Sequence, residues 1–181
     1  MKGSLKGRTV LITAGPTREY LDPVRFLSNE SSGRMGAELA AAAGRRGASV
    51  IVVSGPTRVA MPAGAKVFPV VSALQMFRRT LGELPKADIF IAAAAVGDWR
   101  AAKRAVRKLE KTGGPITLRL LPNPDIVAEA ARRSRKGGSR RTLVVGFALE
   151  TGGLLAKARR KLERKNLDMI VANGSETLSS A

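Results

Sequence analysis

Two stretches near the start of the chain carry residue types suited to holding an anion. They are Thr13-Ala14-Gly15-Pro16-Thr17-Arg18-Glu19 and Leu27-Ser28-Asn29-Glu30-Ser31-Ser32-Gly33-Arg34-Met35-Gly36. An apolar run, a long polar loop and a Ser-Ser-Gly-x-x-Gly entry into an Ala-rich segment predict a strand that feeds a helix start. Such a start exposes backbone N–H groups without internal partners and the positive end of the helix dipole, and glycines let an anionic group approach the main chain. Gly15, Ser31, Ser32, Gly33 and Gly36 form the candidate phosphate cradle. The same residues also serve ordinary turns and caps. A place beyond a strand end, where open α/β sheets bind ligands, favours the cradle. Asn29, in the same loop, offers an amide to a carboxylate or carbonyl oxygen, or simply to nearby backbone.

Three further groups have chemical potential. Ala92-Ala93-Ala94-Ala95 precedes Val96-Gly97-Asp98-Trp99-Arg100. Small side chains at a strand end pack under a helix, or let a flat base or sugar lie on the backbone. Asp98 would then bond the nucleotide or assist its metal, while Trp99, the only tryptophan, reads as a packing anchor. Lys108 and Lys111 sit in a basic segment that is either solvated surface or a flap whose lysine closes over a triphosphate. Lys161 and Lys165 are i and i+4 on one helix face, where like charges repel unless a polyphosphate lies between them. An exposed basic face is the plainer reading of that pair.

Composition narrows the chemistry. Among 181 residues there is no cysteine and no histidine, so disulfides, thiolate chemistry, histidine triads and histidine metal sites are excluded. Net charge is +18, with 13 basic and 7 acidic residues in 1–98 and 19 and 7 in 99–181. That field attracts polyanions, either nucleic acid or phosphorylated small molecules. Lys2, Lys6 and Arg8 are not followed by an apolar run of signal-peptide length, and no stretch approaches a membrane span, so a soluble cytoplasmic protein is expected.

The elements that must position these residues follow from periodicity. Strands are predicted over 9–14, 49–54, 66–71, 88–95, 142–148 and 168–172, and helices over 35–46, 73–81, 126–133 and 152–166, with Ser72 as an N-cap. Continuous apolar strands alternating with helices predict an α/β, doubly wound, Rossmann-like and mostly parallel sheet covered on both faces. Residues 97–121 break the rhythm as an inserted flap, with 116–121 alternating like a half-exposed strand. Residues 135–141 read as a loop, 1–173 as a single domain, and 174–181 as a frayed tail.

Taken in order, ITAGPTRE, LDPVRFLSN, SSGRMG, VSGPT, AAAAVGDWR, RKLEK, NPDIVA, VGFALET and KNLDMIVAN closely resemble the phosphopantothenate–cysteine ligase family of coenzyme A biosynthesis, from Leu5 to Asn173. The resemblance implies a magnesium-dependent ligation in which the carboxylate of 4′-phosphopantothenate attacks CTP to give an acyl-cytidylate, from which L-cysteine displaces CMP. By position, Asn29 corresponds to the residue holding the acyl intermediate, Arg25 lies in the same loop, and Lys108 matches the flap lysine that contacts the triphosphate. Nucleotide contacts are implied at Ala92, Ala93, Ala94, Asp98, Pro124, Asp125, Ile126, Val127, Phe147, Lys161 and Lys165; metal ligands are not. The resemblance also implies a homodimer built partly by the flap. The flap departs from the family's Lys-x-Lys-Lys at Glu110. Members usually continue past Ile-Val-Ala-Asn into further strands and a helix, and often carry a decarboxylase domain ahead of this one, so an inactive or truncated paralogue is the alternative expectation.

Two other classes fit less well. A nicotinamide-dependent reductase would need Gly-x-Gly-x-x-Gly after the first strand, an acidic residue ending the second and a Tyr-x-x-x-Lys pair, none of which is present. A nucleic-acid module would need aromatics among its basic clusters, whereas aromatics make up 4% of the chain, so only weak, salt-sensitive binding is expected and no specific nucleic acid. No membrane partner is expected.

Overall fold

The computed structural model describes residues 3–111, 113–136, 141–150 and 152–174. Its centre is a sheet built from β1 (Thr9–Ala14), β4 (Ser49–Ser54), β5 (Lys66–Pro69), β6 (Ile89–Ala92), β9 (Leu143–Glu150) and β10 (Met169–Gly174). The order is β10-β9-β6-β1-β4-β5, and every pairing is parallel. Connections run outward from β1 in one direction through β4 and β5, then return to lay down β6, β9 and β10 on the other side. The reversal between β1 and β6 defines a doubly wound, Rossmann-like fold and creates a crevice at their carboxyl ends.

Alternation along the strands separates two cores. Val10 and Ile12 of β1 with Val50 and Val52 of β4 face α1 (Arg34–Arg45), packing on Ala40 and Ala43. Leu11, Ile51, Val53 and Phe90 point the other way, toward Met76 and Leu81 of α2 (Ala73–Glu83) and Ile126 and Ala130 of α3 (Ile126–Lys136). Leu162 of α4 (Leu154–Arg164) joins that second core. Among the described residues, α1 is the only helix on its face, and it lies over β1 and β4. The β9 and β10 half of that face is therefore open, with Leu143 50%, Leu149 46% and Met169 57% exposed, where coverage of both faces was expected.

The polar loop after β1 contains a two-stranded antiparallel ribbon, β2 (Arg18–Tyr20) and β3 (Phe26–Ser28). Buried Glu19 on β2 accepts the Ala73 N–H at 2.8 Å, placing a carboxylate at the positive end of α2 beside a capping box made by Ser72 and Gln75. The excursion after β6 returns as a second ribbon, β7 (Trp99–Ala101) with β8 (Leu120–Pro122), so pairing begins at Leu120 where a strand over 116–121 was expected. Trp99 is 53% exposed and is not the packing anchor expected of a lone tryptophan. Other boundaries shift for local reasons. β5 stops at Pro69, where the expected strand ran to Val71, and Val70 and Val71 instead bond Ser54 and Gln75. α3 runs on to Lys136, past the expected end at 133, because its Ser134 hydroxyl bonds the Thr142 carbonyl and keeps that last turn docked. Residues 137–140 of the expected loop and 175–181 of the expected tail lie outside the described residues. No helix among the described residues is long and apolar enough to cross a membrane.

Candidate active site

The α1 start is built for close approach. Gly33 is its N-cap at φ +81°, and a Cβ there would lie 2.9 Å from the Thr57 hydroxyl. Ser31 Oγ accepts the Gly33 N–H at 3.4 Å and Ser32 Oγ the Arg34 N–H at 3.3 Å. The N–H groups of Met35 and Gly36 are among those a helix leaves without an internal partner, and they have none among the described residues. Gly36 meets a packing demand as well, since a Cβ would sit 2.4 Å from Ala14 Cβ. Gly15, at φ +72°, turns the chain off β1 against Gly55, and its carbonyl accepts the Ala95 N–H at 3.0 Å.

Ser31, Ser32, Gly33 and Met35 border a cavity of about 560 Å³ over the carboxyl ends of β6 and β9, whereas Gly15 and Gly36 do not line it. Glu30 to Met35 and Glu38 form one wall, Ala93 to Ala95 the floor, and Phe147 to Leu149 with Asn173 the far wall. β6 ends at Ala92, short of the strand expected to reach 95, so Ala93 to Ala95 are a post-strand segment. Ala94 N–H reaches Thr13 Oγ1 at 3.4 Å and Thr17 N–H bonds the Ala95 carbonyl at 3.3 Å, which flattens that segment along the β1 exit.

Asn29 stands beside this cavity, in a smaller cleft with Glu19, Gly97, Asp98 and Trp99. Its amide donates to the Val96 carbonyl at 3.1 Å, pinning the β3–α1 loop to the segment after β6. Asn123 supports the same segment through its amide to the Gly97 carbonyl at 2.8 Å. Arg25 and Lys108 are farther along the flap side, joined through Asp22. That carboxylate is fully buried and accepts the Val24 and Arg25 N–H groups at Oδ1, both at 2.7 Å, and the Leu109 N–H at Oδ2, 3.1 Å. Burial alone would raise the Asp22 pKa; the N–H donors of Arg25, Val24 and Leu109 with the Arg25 guanidinium outweigh it and hold the carboxyl below its ordinary value.

The remaining nucleotide candidates do not line the main cavity. Ile126 is a core side chain and Val127 packs against that core. Pro124 and Asp125 open onto a shallow cleft with Phe77 and Arg132. Each lysine of the pair Lys161 and Lys165 has an internal carboxylate that offsets the expected repulsion. Lys161 reaches Glu150 at 2.6 Å, one residue beyond the cavity wall at Leu149, and Lys165 reaches Asp125 at 2.8 Å. Lys161, then Lys157, lower the Glu150 pKa by hydrogen bonding against the opposing effect of burial. Sequence reasoning missed Glu30, Arg34, Met35, Glu38, Ala95, Ala148, Leu149 and Asn173 as lining residues. The signal for Glu38 was present, since it lies one turn from Arg34 on the helix that carries the cradle.

The structure is a doubly wound α/β domain whose glycine- and serine-rich helix start lies near its switch point, the place where folds of this class bind ligands. The chain belongs to the DNA/pantothenate metabolism flavoprotein C-terminal domain family, whose pattern it matches over residues 5–180. It is 48% identical over 172 residues to the coenzyme A biosynthesis bifunctional protein CoaBC of Escherichia coli K12, covering 93% of this chain and 41% of that protein. With the CoaBC of Haemophilus influenzae it shares 44% identity over 172 residues, covering 95% and 42%. The chain thus spans less than half the length of these curated relatives. A crystal structure of the C-terminal domain of a CoaBC superposes with a TM-score of 0.81 at 36% identity, covering 97% of this chain and 81% of that one.

Proposed function

We propose that this domain joins 4′-phosphopantothenate to L-cysteine through an acyl-cytidylate formed from CTP. The observation carrying the proposal is the cavity that unites an anion-ready helix start with a floor of three alanines and the Phe147 wall. The kinship with CoaBC proteins, named for coenzyme A biosynthesis, supports the same chemistry.

In the first step the substrate carboxylate oxygen forms a bond to the α-phosphorus of CTP and pyrophosphate departs. In the second, the cysteine amine bonds to the acyl carbon, sheds a proton to solvent, and CMP leaves with the carboxylate oxygen. Neither step requires a histidine. The residues supply position and charge complementarity, which are the dominant contributions to such transfers. Ser31, Ser32 and the N–H groups of Met35 and Gly36 bind the substrate phosphate. Ala93 to Ala95 give the nucleotide a surface without side-chain obstruction, Asn29 holds the acyl oxygen, and Lys108 reaches the triphosphate from the flap. Lys161 and Lys165 exchange Glu150 and Asp125 for nucleotide oxygens. Among the described residues no three acidic side chains converge on a metal site. Mg²⁺ needs only one or two carboxylates beside substrate phosphates. Glu30 and Glu38 on the cavity wall would serve, and the ion would neutralise phosphate charge. The flap's exposed apolar side chains, Trp99, Val106 and Ile116, suit burial against a second copy of the chain.

The test is pyrophosphate release from CTP. It should require phosphopantothenate and proceed for one turnover without cysteine. Release independent of phosphopantothenate, or none with any nucleoside triphosphate, would overturn the proposal.

A further inference from the structure

Asp22 sits where two parts of the site meet, and nothing in its own motif marks it as more than a turn residue. Its two oxygens do different work. Oδ1 closes the turn over residues 22–25 by accepting from Val24 and Arg25, and Oδ2 reaches across 87 positions of sequence to the N–H of Leu109. The Arg25 guanidinium lies 3.7 Å from Oδ2. A second tie runs parallel, from the Ala105 N–H to the Leu21 carbonyl at 2.8 Å. Between these ties the flap is exposed at Val106, Arg107 and Lys108, while Leu109 is half buried. The flap is thus held at two backbone points on either side of Lys108, and one of them ends on a fully buried carboxylate. A buried acceptor left without its donor is costly, so this contact is strongly directional.

We propose that Asp22 is a positioning residue that latches the lysine-bearing flap to the Arg25 loop, fixing Lys108 and Arg25 relative to each other. The role rests on the ligase reading only for its consequence in catalysis; the latch itself is a property of the free protein. Asp22 touches no reacting atom in this account. It acts through the backbone of Leu109, adjacent to Lys108, and through the backbone and guanidinium of Arg25.

The two oxygens make the contact separable. In Asp22→Asn the remaining oxygen can keep the turn while the amide NH₂ faces the Leu109 N–H, donor against donor. Amide exchange by NMR on the ligand-free protein should show Leu109 exchanging roughly 10-fold faster or more, the loss of one charge-assisted bond, with Val24 and Arg25 little changed. The KM for CTP in pyrophosphate release should rise by about the same factor while kcat falls less. Leu109→Pro, which deletes the donor and leaves the carboxylate intact, should produce the same kinetic split. Unchanged Leu109 exchange would overturn the latch. Faster exchange with unchanged KM in both variants would overturn the positioning role. An inactive wild-type protein whose Asp22→Asn variant still frees Leu109 would overturn the ligase reading and leave the latch standing.

Discussion

The contact of Gly36 with β1 permits a paired test on one helix. Gly36 and Gly44 both lie in α1, but a Cβ at Gly36 would meet Ala14 Cβ at 2.4 Å and Ala14 Cα at 3.0 Å, whereas one at Gly44 meets nothing within 4 Å. Ordinary contact begins at 3.4 Å, so Gly36→Ala demands a separation of about 1 Å between α1 and the end of β1. Ala14 is fully buried and offers no flexible tip to yield. Replacing glycine by alanine in a helix contributes about 0.8–1 kcal/mol at either position, so that gain cancels to first order between the two variants. What remains is the overpacking cost, roughly 1–3 kcal/mol. At about 2–4 °C per kcal/mol for a chain of this size, Gly36→Ala should melt roughly 2–12 °C below Gly44→Ala, and Gly44→Ala should melt above wild type. Circular-dichroism melts measure both. The shift also moves the N–H groups of Met35 and Gly36 relative to the cavity floor, so phosphopantothenate affinity should fall in Gly36→Ala alone. If Gly36→Ala equals or exceeds Gly44→Ala in stability, α1 does not pack on β1 as described and the cradle geometry loses its basis.

Three other outcomes follow from named contacts. Lys161→Gln with Lys165→Gln should weaken CTP binding by about 10-fold or more in calorimetry, since hydrogen bonds to charged groups contribute about 1.5–3 kcal/mol each; Arg159→Gln with Arg160→Gln removes equal charge from exposed positions of the same helix, and equal losses would leave only the overall field. Asn29→Asp sets a carboxylate against the Val96 carbonyl and the substrate's own charge, so turnover should fall about 100-fold or more while stability changes by roughly 0.5–1.5 kcal/mol, and wild-type turnover would remove Asn29 from the mechanism. The carboxyls of Asp22, Glu83, Glu129 and Glu150 are all depressed in the folded state, Glu129 to about 2 by hydrogen bonds from Arg132 and then Arg133. Their contribution is complete above the unfolded values near ~4–4.5 and is lost as pH falls below them, so melting temperature should hold from pH 7 to about 5 and then decline; a rise on acidification would contradict the ion pairs.

The centre of the sheet could be read from the sequence because β1 and β4 are buried on both faces, and a short β-branched run such as Ser-Val-Ile-Val-Val-Ser suits a parallel interior. The start of α1 was equally visible, since glycine and serine at a helix entry mark it locally. The two ribbons were not. Each strand of β2, β3, β7 and β8 is three residues long, too short for periodicity to register. The partners of the lysine pair were hidden for a different reason: Glu150 and Asp125 reach it from the ends of other elements, and partners chosen by tertiary folding leave no trace in i, i+4 spacing. Asp22 was hidden in Leu-Asp-Pro-Val, which reads as a turn and is one, while its second oxygen serves the flap.

The acyl-cytidylate is tested most directly by isotope transfer. Phosphopantothenate labelled with ¹⁸O in both carboxylate oxygens is incubated with CTP, cysteine, Mg²⁺ and the protein, and the CMP and product are weighed by mass spectrometry. The account predicts one ¹⁸O in CMP and one in the amide product, because the oxygen that bonds to phosphorus leaves with the nucleotide. Product formed with unlabelled CMP, the label appearing instead in inorganic phosphate or water, would contradict it.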